Sequence, residues 1–377
     1  MATSNAQVQK IYLRPETAYG DTTADFSSDG LVVRTSGLVD ISSVKTELVE
    51  TGVVKTSNND AGGAPVDGLD AGELKLMVNL TGNTKAVGEL TEDNMSKFLG
   101  AVVGTRTAPV NDACLAGCTT TVIASTAHPY AADHIVMING ECRRVDSDDG
   151  ADQFTLDFAL TSAPDKTDVI YGCETYDSIA NKTVGVGISQ VDSELQFALA
   201  GCNPSALELA ALTPGALVQL TSTINVGTKT RGALTPATAE TGVSGLVVGR
   251  SGPGVQIKLA NGSIFNPRVA SVTCGMGLTR EWDEDIGGTN GKGGTVAAPT
   301  DNTVEITMSQ DVSYSVLEAL RGVATVINVQ VGTASGGIVG VYYPEAYISD
   351  GPTAEPIGVR QGCKVTFRAA RALLYRC

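Results

Sequence analysis

The sequence has little of the chemistry on which enzymes depend. It contains two histidines and one tryptophan in 377 residues, and charged residues make up only 18% of it. Both histidines, His128 and His134, lie within residues 108–177, so the rest of the chain has no imidazole to activate a nucleophile. Carboxylates flank the tryptophan at Glu281 and Asp283, but they lead into a glycine-rich segment that would hold an acid and a base poorly. We therefore predict that the chain is not an enzyme and has no catalytic residue.

Long apolar runs are missing as well. No segment approaches about 18 consecutive apolar residues, so we expect no membrane-spanning helix and no membrane insertion. Residues 1–10 are polar and lack the apolar run of a signal peptide, which favours synthesis in the cytoplasm.

The charge is one-sided. The chain has 41 acidic and 26 basic residues, a formal net charge of −15. Proteins that grip nucleic acid neutralise phosphates with clustered lysine and arginine, so a surface of this sign argues against that function. An acidic surface is compatible with a protein that lies beside DNA and repels it.

Each segment that resembles a cofactor-binding motif lacks a residue or a structural context that the motif requires. The acidic run at 146–152 is one residue short of an EF-hand loop, and a solvated hairpin turn accounts for it. The pair Gly291-Lys292 does not belong to a phosphate-binding loop, because Ile286 stands where the first glycine is needed. Residues 245–254 contain several glycines without the strand–helix–strand context of a dinucleotide site. We expect no cofactor.

One set of residues has the composition of a zinc site: Cys114, Cys118, His128 and His134. The gap between Cys118 and His128 is short for a zinc finger, and His134 begins an apolar strand. Free thiols or a disulfide are the more ordinary interpretation, so no metal is expected. A bridge between Cys142 and Cys173, or within the first pair, would form only outside the reducing cytoplasm.

What the chain does contain favours a mainly β protein. It has 43 glycines, recurrent threonine and valine, and few long stretches of helix-forming residues. Alternating or β-branched runs predict strands at Leu31–Val33, Glu73–Leu80, Val184–Ile188, Leu217–Thr221, Val269–Leu278, Thr303–Met308, Thr325–Val331, Ile338–Tyr343 and Lys364–Ala369. Helical spacing predicts a helix capped by Thr91 and a second over Ser313–Arg321, which Gly322 would stop.

The order of these elements occurs twice. A hairpin arm with a glycine-rich tip, an alternating strand, a short helix and further strands follow one another in each half, which indicates a tandem duplication. We predict a first unit over 1–107 with 178–226, a small inserted β-domain over 108–177, a linker over 227–266 and a second unit over 267–377.

Both units are expected to need partners. Alternating strands near 74–80 and 303–308 have few charges and no proline to block their edges, so pairing with another copy of the chain would satisfy them. Long arms bury too little to be ordered alone and are predicted to order on a neighbouring subunit. Their tips contain Asn58, Asn59, Gly62, Gly63, Gly287, Gly288, Gly293 and Gly294.

Several segments resemble a known family. Glu16-Thr17-Ala18-Tyr19-Gly20 is similar to the "ETxYG" opening found near the start of the tail tube proteins of long-tailed bacteriophages. Residues 201–224 (GCNPSALELAALTPGALVQLTSTI) and 341–370 (VYYPEAYISDG…VRQGCKVTFRAA) resemble the same family, and the inserted region resembles its decorating β-domains. The likeness covers both halves, but the length and the second unit depart from the simple family pattern.

The resemblance implies a virion protein with β-barrel or sandwich units, assembled in the host cytoplasm into stacked rings that conduct DNA through the tail without binding its sequence. A ring usually has six tube units, so three chains with pseudo-sixfold symmetry are favoured over six chains. Terminator, tape-measure and baseplate or distal tail proteins would be further partners. A phage or cell-surface adhesin that binds a receptor is the alternative.

The same resemblance implies which residues line the lumen. The polar faces of the alternating strands would contribute Glu73, Asn79, Thr81, Glu305, Thr307 and Ser309. Carboxylates within about 10 Å of the DNA phosphates lie inside one Debye length at roughly 0.1 M salt, so repulsion would keep the DNA sliding.

Overall fold

The computed structural model describes residues 9–16, 19–20, 25–27, 30–33, 39–40, 42–49, 66–82, 93–126, 128–150, 152–177, 183–190, 195–237, 248, 254–289, 291–299, 301–309, 313–334, 336–358 and 360–377. Within these ranges the protein is mainly β, with 27 strands and two short helices.

The elements up to residue 107 are β1 Gln9–Pro15, β2 Leu31–Val33, β3 Lys45–Val49, β4 Val66–Ala71, β5 Glu73–Asn79, α1 Asn94–Val102 and β6 Thr105–Thr107. Those from 108 to 177 are β7 Asp112–Ala113, β8 Val122–Ala124, β9 Ile135–Ile138, β10 Glu141–Asp148, β11 Gln153–Leu156, β12 Val169–Gly172 and β13 Glu174–Asp177. Those from 178 to 266 are β14 Val184–Gln190, β15 Leu195–Leu212, β16 Gln219–Asn225, β17 Thr228–Arg231, β18 Gly254–Lys258 and β19 Ile264–Phe265. The remainder are β20 Val269–Met276, β21 Leu278–Thr289, β22 Lys292–Pro299, β23 Asn302–Ser309, α2 Ser313–Glu318, β24 Thr325–Val331, β25 Val339–Ile357, β26 Arg360–Ala369 and β27 Leu373–Arg376.

Strands β7 to β12 form a sheet of their own. Its order is β7-β12-β9-β10-β11-β8, and it covers a separate apolar cluster that includes Ile123, Tyr130 and Phe154. Polar contacts join it to the main body. The Tyr342 hydroxyl hydrogen-bonds Asp157, and Cys142 N donates to Gln330 Oε1 over 2.9 Å.

Most of the remaining strands fall into two sets with matching connections. We call β1, β2, β5, β14, β15, β16 and β17 the first set, and β18, β19, β20, β23, β24, β25, β26 and β27 the second. Six antiparallel pairings of the first set are β1–β2, β1–β14, β14–β15, β15–β16, β16–β5 and β15–β17. Their counterparts in the second are β18–β19, β18–β24, β24–β25, β25–β26, β26–β23 and β25–β27. In each set a hairpin precedes, and a helix follows, the strand β5 or β23.

Strand β15 of the first set pairs with β20 of the second. Strand β27 of the second set also pairs with β13, which lies outside both sets and pairs with β6. A single cluster of buried apolar side chains runs through both sets. The segment 227–266, predicted as a linker, supplies β17, β18 and β19 to these sheets.

Helix α1 is capped differently from the prediction. Thr91 lies outside the described residues, and the N-cap is Asp93, whose carboxylate accepts a hydrogen bond from Ser96 N. The buried side of the helix carries Phe98, Leu99 and Val102, which have the predicted spacing. Helix α2 is shorter than predicted and ends at Glu318, before Gly322 with its φ of 72°.

The cap of α1 belongs to a buried ion cluster centred on Arg376. Its guanidinium is fully buried and lies 2.7 Å from Asp93 Oδ2 and 3.2 Å from Glu174 Oε2. Burial raises the pKa of Asp93, but the bonds from Arg376 and Ser96 outweigh it, so the pKa lies below its usual value. The cluster thereby fixes β27, β13 and the start of α1 to one another.

We predict that Arg376→Met lowers the free energy of unfolding by about 3–5 kcal/mol, because it leaves Asp93 buried without its counter-charge and Glu174 paired with Arg106 alone. Urea denaturation at pH 7 measures this, and Arg360→Met, at an exposed position of β26, is the matched control and should change little. The wild type loses the contribution of Asp93 as the pH falls from about 4 through its lowered pKa, so the gap to the variant should narrow there. A constant gap would contradict this role of Asp93.

Candidate assembly surface

One sheet surface spans both sets and is the most extended feature of the protein. Seven strands lie side by side in the order β5, β16, β15, β20, β23, β26 and β25, where β15 contributes residues 203–212 and β25 residues 346–357. We call these seven strands the wall. Their alternation buries one face against the core and exposes the other, since successive residues of a strand point to opposite sides.

A single row of paired residues crosses the whole wall. It consists of Met77, Thr221, Glu208, Gly275, Thr303, Arg368 and Tyr347, each the register partner of the next. The opposite face holds buried residues of the core, among them Leu76, Leu209, Cys274, Ile306 and Val365. The wall is therefore one continuous surface, although its strands come from both sets.

Five of the six residues predicted to line a lumen lie on the solvent-facing side of the wall. Glu73 is exposed, and Asn79, Glu305, Thr307 and Ser309 are half-buried. Their neighbours are mostly threonines and serines, such as those at 221, 223, 271, 273, 303 and 366.

Thr81 is an exception, and its prediction was wrong. It is 7% exposed, and its carbonyl accepts a hydrogen bond from Arg376 Nε over 3.0 Å. The chain has left β5 at this point and turned into the ion cluster, so the alternation of the strand no longer applies.

The wall face is balanced in charge, which the net charge of the chain did not suggest. Lys75 Nζ lies 3.6 Å from Glu73 Oε1, and Lys364 Nζ lies 2.9 Å from Glu305 Oε1. The acidic surplus lies elsewhere. Residues 108–177 hold 12 of the 41 acidic and only 3 of the 26 basic residues.

Neither outer edge of the wall pairs with a further strand within the described residues, although Ser43 Oγ donates to Glu73 O and accepts from Glu73 N at the edge of β5. Strand β5 pairs with β16 alone, and residues 347–357 of β25 pair with β26 alone. The two exposed large apolar side chains of the wall stand at these edges, Met77 on β5 at 41% exposure and Tyr347 on β25 at 42%. An unpaired edge with an apolar side chain is suited to further strand pairing, although Pro352, Pro356 and two register shifts limit the pairing that the edge of β25 can make.

The rows of the wall are staggered from one set to the next. The row that leaves the first set through Glu208 meets β23 at Thr303. The same register shift occurs at Val184/Val186 and at Thr325/Ile327, and it matches Glu73 of β5 to Thr303 of β23. Met77 therefore matches Thr307, which lies four residues beyond the point where the row from Met77 meets β23. In the four steps from β5 to its counterpart β23, the row of paired residues is thus displaced by four residues along the strands.

The second predicted arm is a hairpin, and its Lys292 Nζ donates to Val226 O over 3.2 Å. Strands β21 and β22 pair with each other, and the tip contains Gly287, Gly288, Gly293 and Gly294. Ile286 at this tip is fully exposed. The first arm begins with β3 and β4, but its predicted tip residues Asn58, Asn59, Gly62 and Gly63 lie outside the described residues.

The base of the second arm is anchored on the first set by Arg280. Its buried guanidinium donates hydrogen bonds to Val102 O and Val103 O over 3.1 Å and to Pro204 O over 2.9 Å, at the C-terminal end of α1. Burial lowers the pKa of this group to about 10. A cation there interacts favourably with the helix dipole, so the arm and the helix stabilise each other. No sequence pattern indicates this role of Arg280, because its partners are main-chain carbonyls of distant residues.

The four residues with zinc-like composition are not gathered into a metal site. His128 Nε2 lies 2.8 Å from Gly150 O, and His134 Nδ1 accepts a hydrogen bond from Ala131 N. No group of three or more histidine, cysteine, aspartate or glutamate side chains within the described ranges is placed to hold a metal ion. The acidic run at 146–152 begins inside β10, which includes Asp146 and Asp148, in the separate six-stranded sheet.

All eight cysteines are free thiols. Cys142 and Cys173, one of the predicted pairs, have sulfur atoms 3.9 Å apart, too far for a bond but close enough for one after a small movement. Burial raises the pKa of Cys173 well above its usual value, and that of Cys202 and Cys274 to about 12. Such thiols react slowly near neutral pH, because the thiolate is the reactive form.

Comparison with known proteins found no family model that matches the chain and no curated protein similar to it. Among the described residues, no helix is both long enough and apolar enough to span a membrane. The function is therefore inferred from the wall, its edges and its arms.

We predict that one thiol of the eight reacts rapidly with Ellman's reagent at pH 7.5, namely Cys118. It alone is half-exposed, whereas the other seven are buried. The variant Cys118→Ser should lose the fast phase, and Cys114→Ser should keep it, since burial and the neighbouring Cys118 raise the pKa of Cys114 to about 12. Two or more fast thiols in the native wild type would contradict the observed burial.

Proposed function

We propose that this protein is the structural subunit of a phage tail tube, which forms stacked rings around a channel for DNA. The observation that carries the proposal is the wall, a polar sheet surface shared by two sets of strands and open at both edges. The six matching pairings support a tandem duplication, in which each set is one tube unit with a helix and an arm. The resemblance of residues 16–20, 201–224 and 341–370 to tail tube proteins points the same way.

The stagger of the wall favours closure into a barrel. A shift of one residue per strand, with about 3.3 Å along a strand and about 4.8 Å between strands, corresponds to a strand tilt of roughly 35°. That value lies at the lower end of the tilt of closed barrels, about 35–45°. Repeating the wall would therefore generate a closed cylinder, which leaves no edge exposed.

Three copies would supply six sets to such a ring, and six copies are the alternative. The second set contributes four strands to the wall, so six sets give a barrel larger than the porins, whose 16–18 strands already leave an aqueous channel. The solvent-facing side of the wall would line this channel.

The chemistry of that face suits the passage of DNA. It carries serines, threonines and ion pairs such as Lys364 with Glu305, and it lacks the clustered cations that hold phosphates. The earlier expectation of a strongly acidic lumen is replaced by that of a neutral, hydroxyl-rich one. The acidic region 108–177 would decorate the outside of the tube.

The arms would join one ring to the next. The second arm exposes Ile286 completely, and an isolated apolar side chain on a projecting hairpin gains stability when a neighbour covers it. Terminator, tape-measure and baseplate or distal tail proteins would contact the ends or the interior of the tube in the virion.

We predict that purified protein at high concentration forms long hollow tubes, visible by negative-stain electron microscopy. The physical reason is that both wall edges become paired only when copies associate. Discrete globules at every concentration would contradict the proposal and favour an adhesin that binds a receptor.

We predict further that Glu73→Lys combined with Glu305→Lys makes the channel retain DNA. Each new lysine stands beside an existing one, Lys75 or Lys364, and so creates a cationic cluster on the face. Phage carrying the variant should eject their genomes several-fold more slowly, measured by release of dye-accessible DNA.

The matched control changes the same number of charges away from the wall. Asp152→Lys with Asp165→Lys alters two exposed carboxylates next to strands of the six-stranded sheet and should leave ejection unchanged. Equal ejection rates for the two double variants, with tubes intact in both, would contradict the assignment of the wall to the lumen.

A further inference from the structure

We propose that Cys173 and Cys377 are a disulfide site, at which a low-molecular-weight disulfide such as oxidised glutathione converts two thiols into a bond. The bond would fasten β27 of the second set to the point where the chain leaves the six-stranded sheet. The inference goes beyond the proposed function and does not depend on it, because both cysteines belong to one copy of the chain.

The two cysteines face each other across two antiparallel strands. Strand β13 pairs with β27 in a register that places Glu174 opposite Arg376. One residue before Glu174 and one residue after Arg376, the same register places Cys173 opposite Cys377. Directly opposite residues of an antiparallel pair send their side chains to the same face of the sheet. The two thiols therefore lie side by side.

The main-chain hydrogen bonds of this pair point away from each other. Cys377 N donates to Ile338 O, and Cys377 O accepts from Ile338 N, both over 3.0 Å on the side of β25. Cys173 N donates to Ile135 O over 2.9 Å on the side of β9. The two cysteines are thus a non-hydrogen-bonded pair, the kind whose Cα atoms approach to about 4.5 Å. Disulfides join Cα atoms about 4.4–6.8 Å apart, so rotation of the side chains is enough to form this one.

Cys142 is a less suitable partner for Cys173, although their sulfur atoms lie 3.9 Å apart. Met137 of β9 is the register partner of Cys142 on β10 and of Tyr171 on β12. Strand β9 therefore separates the main chains of the two cysteines by about two strand spacings, which exceeds the range of a disulfide. Bonding that pair requires the sheet to shift, whereas bonding Cys173 to Cys377 does not.

Packing shields the site from water. Cys173 is fully buried and Cys377 is 7% exposed, within the apolar cluster that joins the six-stranded sheet to the second set. The Cys173 thiol donates a hydrogen bond that lowers the pKa of Cys377, but burial and the neighbouring Cys142 and Glu174 keep that pKa above its usual value. Both thiols therefore react slowly and persist in a reducing cytoplasm.

The oxidation consists of two thiol–disulfide exchanges. Cys377, the more exposed of the two, attacks oxidised glutathione and forms a mixed disulfide, and one reduced glutathione leaves with the proton of the Cys377 thiol. Cys173 then attacks the Cys377 sulfur, and the second reduced glutathione leaves with the proton of the Cys173 thiol. Two electrons pass from the cysteine pair to the oxidant, whose S–S bond is replaced by that of the protein.

The position of the bond gives it a structural effect. Cys173 lies between β12 of the six-stranded sheet and β13, and Cys377 follows β27. The ion pair of Arg376 with Glu174 lies one residue away on both strands. The bond would reinforce that pair and close a loop from residue 173 to residue 377, and closing a long loop constrains the unfolded chain strongly.

Disulfide mapping of the full-length chain tests the pairing. A Cys118→Ser background removes the half-exposed thiol and leaves seven of the eight cysteines. After the native protein has reacted with oxidised glutathione at mildly alkaline pH, we expect one Cys173–Cys377 linkage by mass spectrometry of a non-reducing digest. Five free thiols should remain when the protein is denatured. A Cys142–Cys173 linkage as the main product, or seven free thiols, would overturn the inference.

Two serine variants in the same background are matched controls. Cys142→Ser should keep the Cys173–Cys377 linkage, because Cys142 takes no part in it, and Cys377→Ser should form no linkage at Cys173. Each variant exchanges one buried thiol for a hydroxyl, so a general effect on folding would appear in both. Loss of the linkage in Cys142→Ser, with the protein folded, would contradict the assigned pairing.

Urea denaturation measures what the bond does. Oxidation should raise the unfolding midpoint of the Cys118→Ser protein by about 1 M, and a reducing agent should restore the original midpoint. The midpoint of the variant that also carries Cys377→Ser should not respond to the oxidant. Equal midpoints for the bridged and the reduced protein would overturn the inference that the bond fastens β27 to the six-stranded sheet.

Discussion

Main-chain hydrogen-bonding groups at the edges of a sheet must be satisfied, and among the described residues no strand pairs with either outer edge of the wall. Each bond formed there contributes roughly 1 kcal/mol net, so a strand edge of five or six bonds provides a sizeable driving force for association. Within the described residues no further strand pairs with the outer edge of β25, and Pro352, Pro356 and two register shifts along it are features by which sheets limit such pairing. The arms, the stagger of the rows and the two exposed apolar side chains are all consistent with the proposed association of copies at those edges.

Much of the fold could be predicted where the pattern was local. Alternation located β5 and β23, helical spacing located α1 and α2, and most strand ends were within two residues. Longer elements were missed for physical reasons. Strand β15 passes through Gly201, with a φ of 60°, and through Pro204, two residues that normally break a strand. The strand tolerates the proline because only β16 pairs with it at that point, β20 joining from Leu207 onward.

The candidate site could be predicted only in part, because it depends on contacts between distant segments. The alternation of β5 placed Glu73 on a polar face, yet nothing local indicated that Thr81 would turn inward to Arg376. Strand β1 was missed, and β25 was predicted to end at Tyr343, so the open edge of the wall was not foreseen. Net charge was likewise a poor guide to the wall, since it averages an acidic inserted region with a balanced sheet surface.

Having two sets in one chain has an arithmetical consequence. Each chain adds its sets in pairs, so a closed ring can contain only an even number of them, and rings of five or seven sets are impossible whatever the flexibility of the contacts. In such a ring, half of the contacts between neighbouring sets are the β15–β20 pairing within one chain. Assembly therefore requires half as many encounters between separate molecules as it would with one set per chain. The contacts between chains can diverge in sequence from those within a chain. The two kinds of contact can therefore differ in strength within one ring.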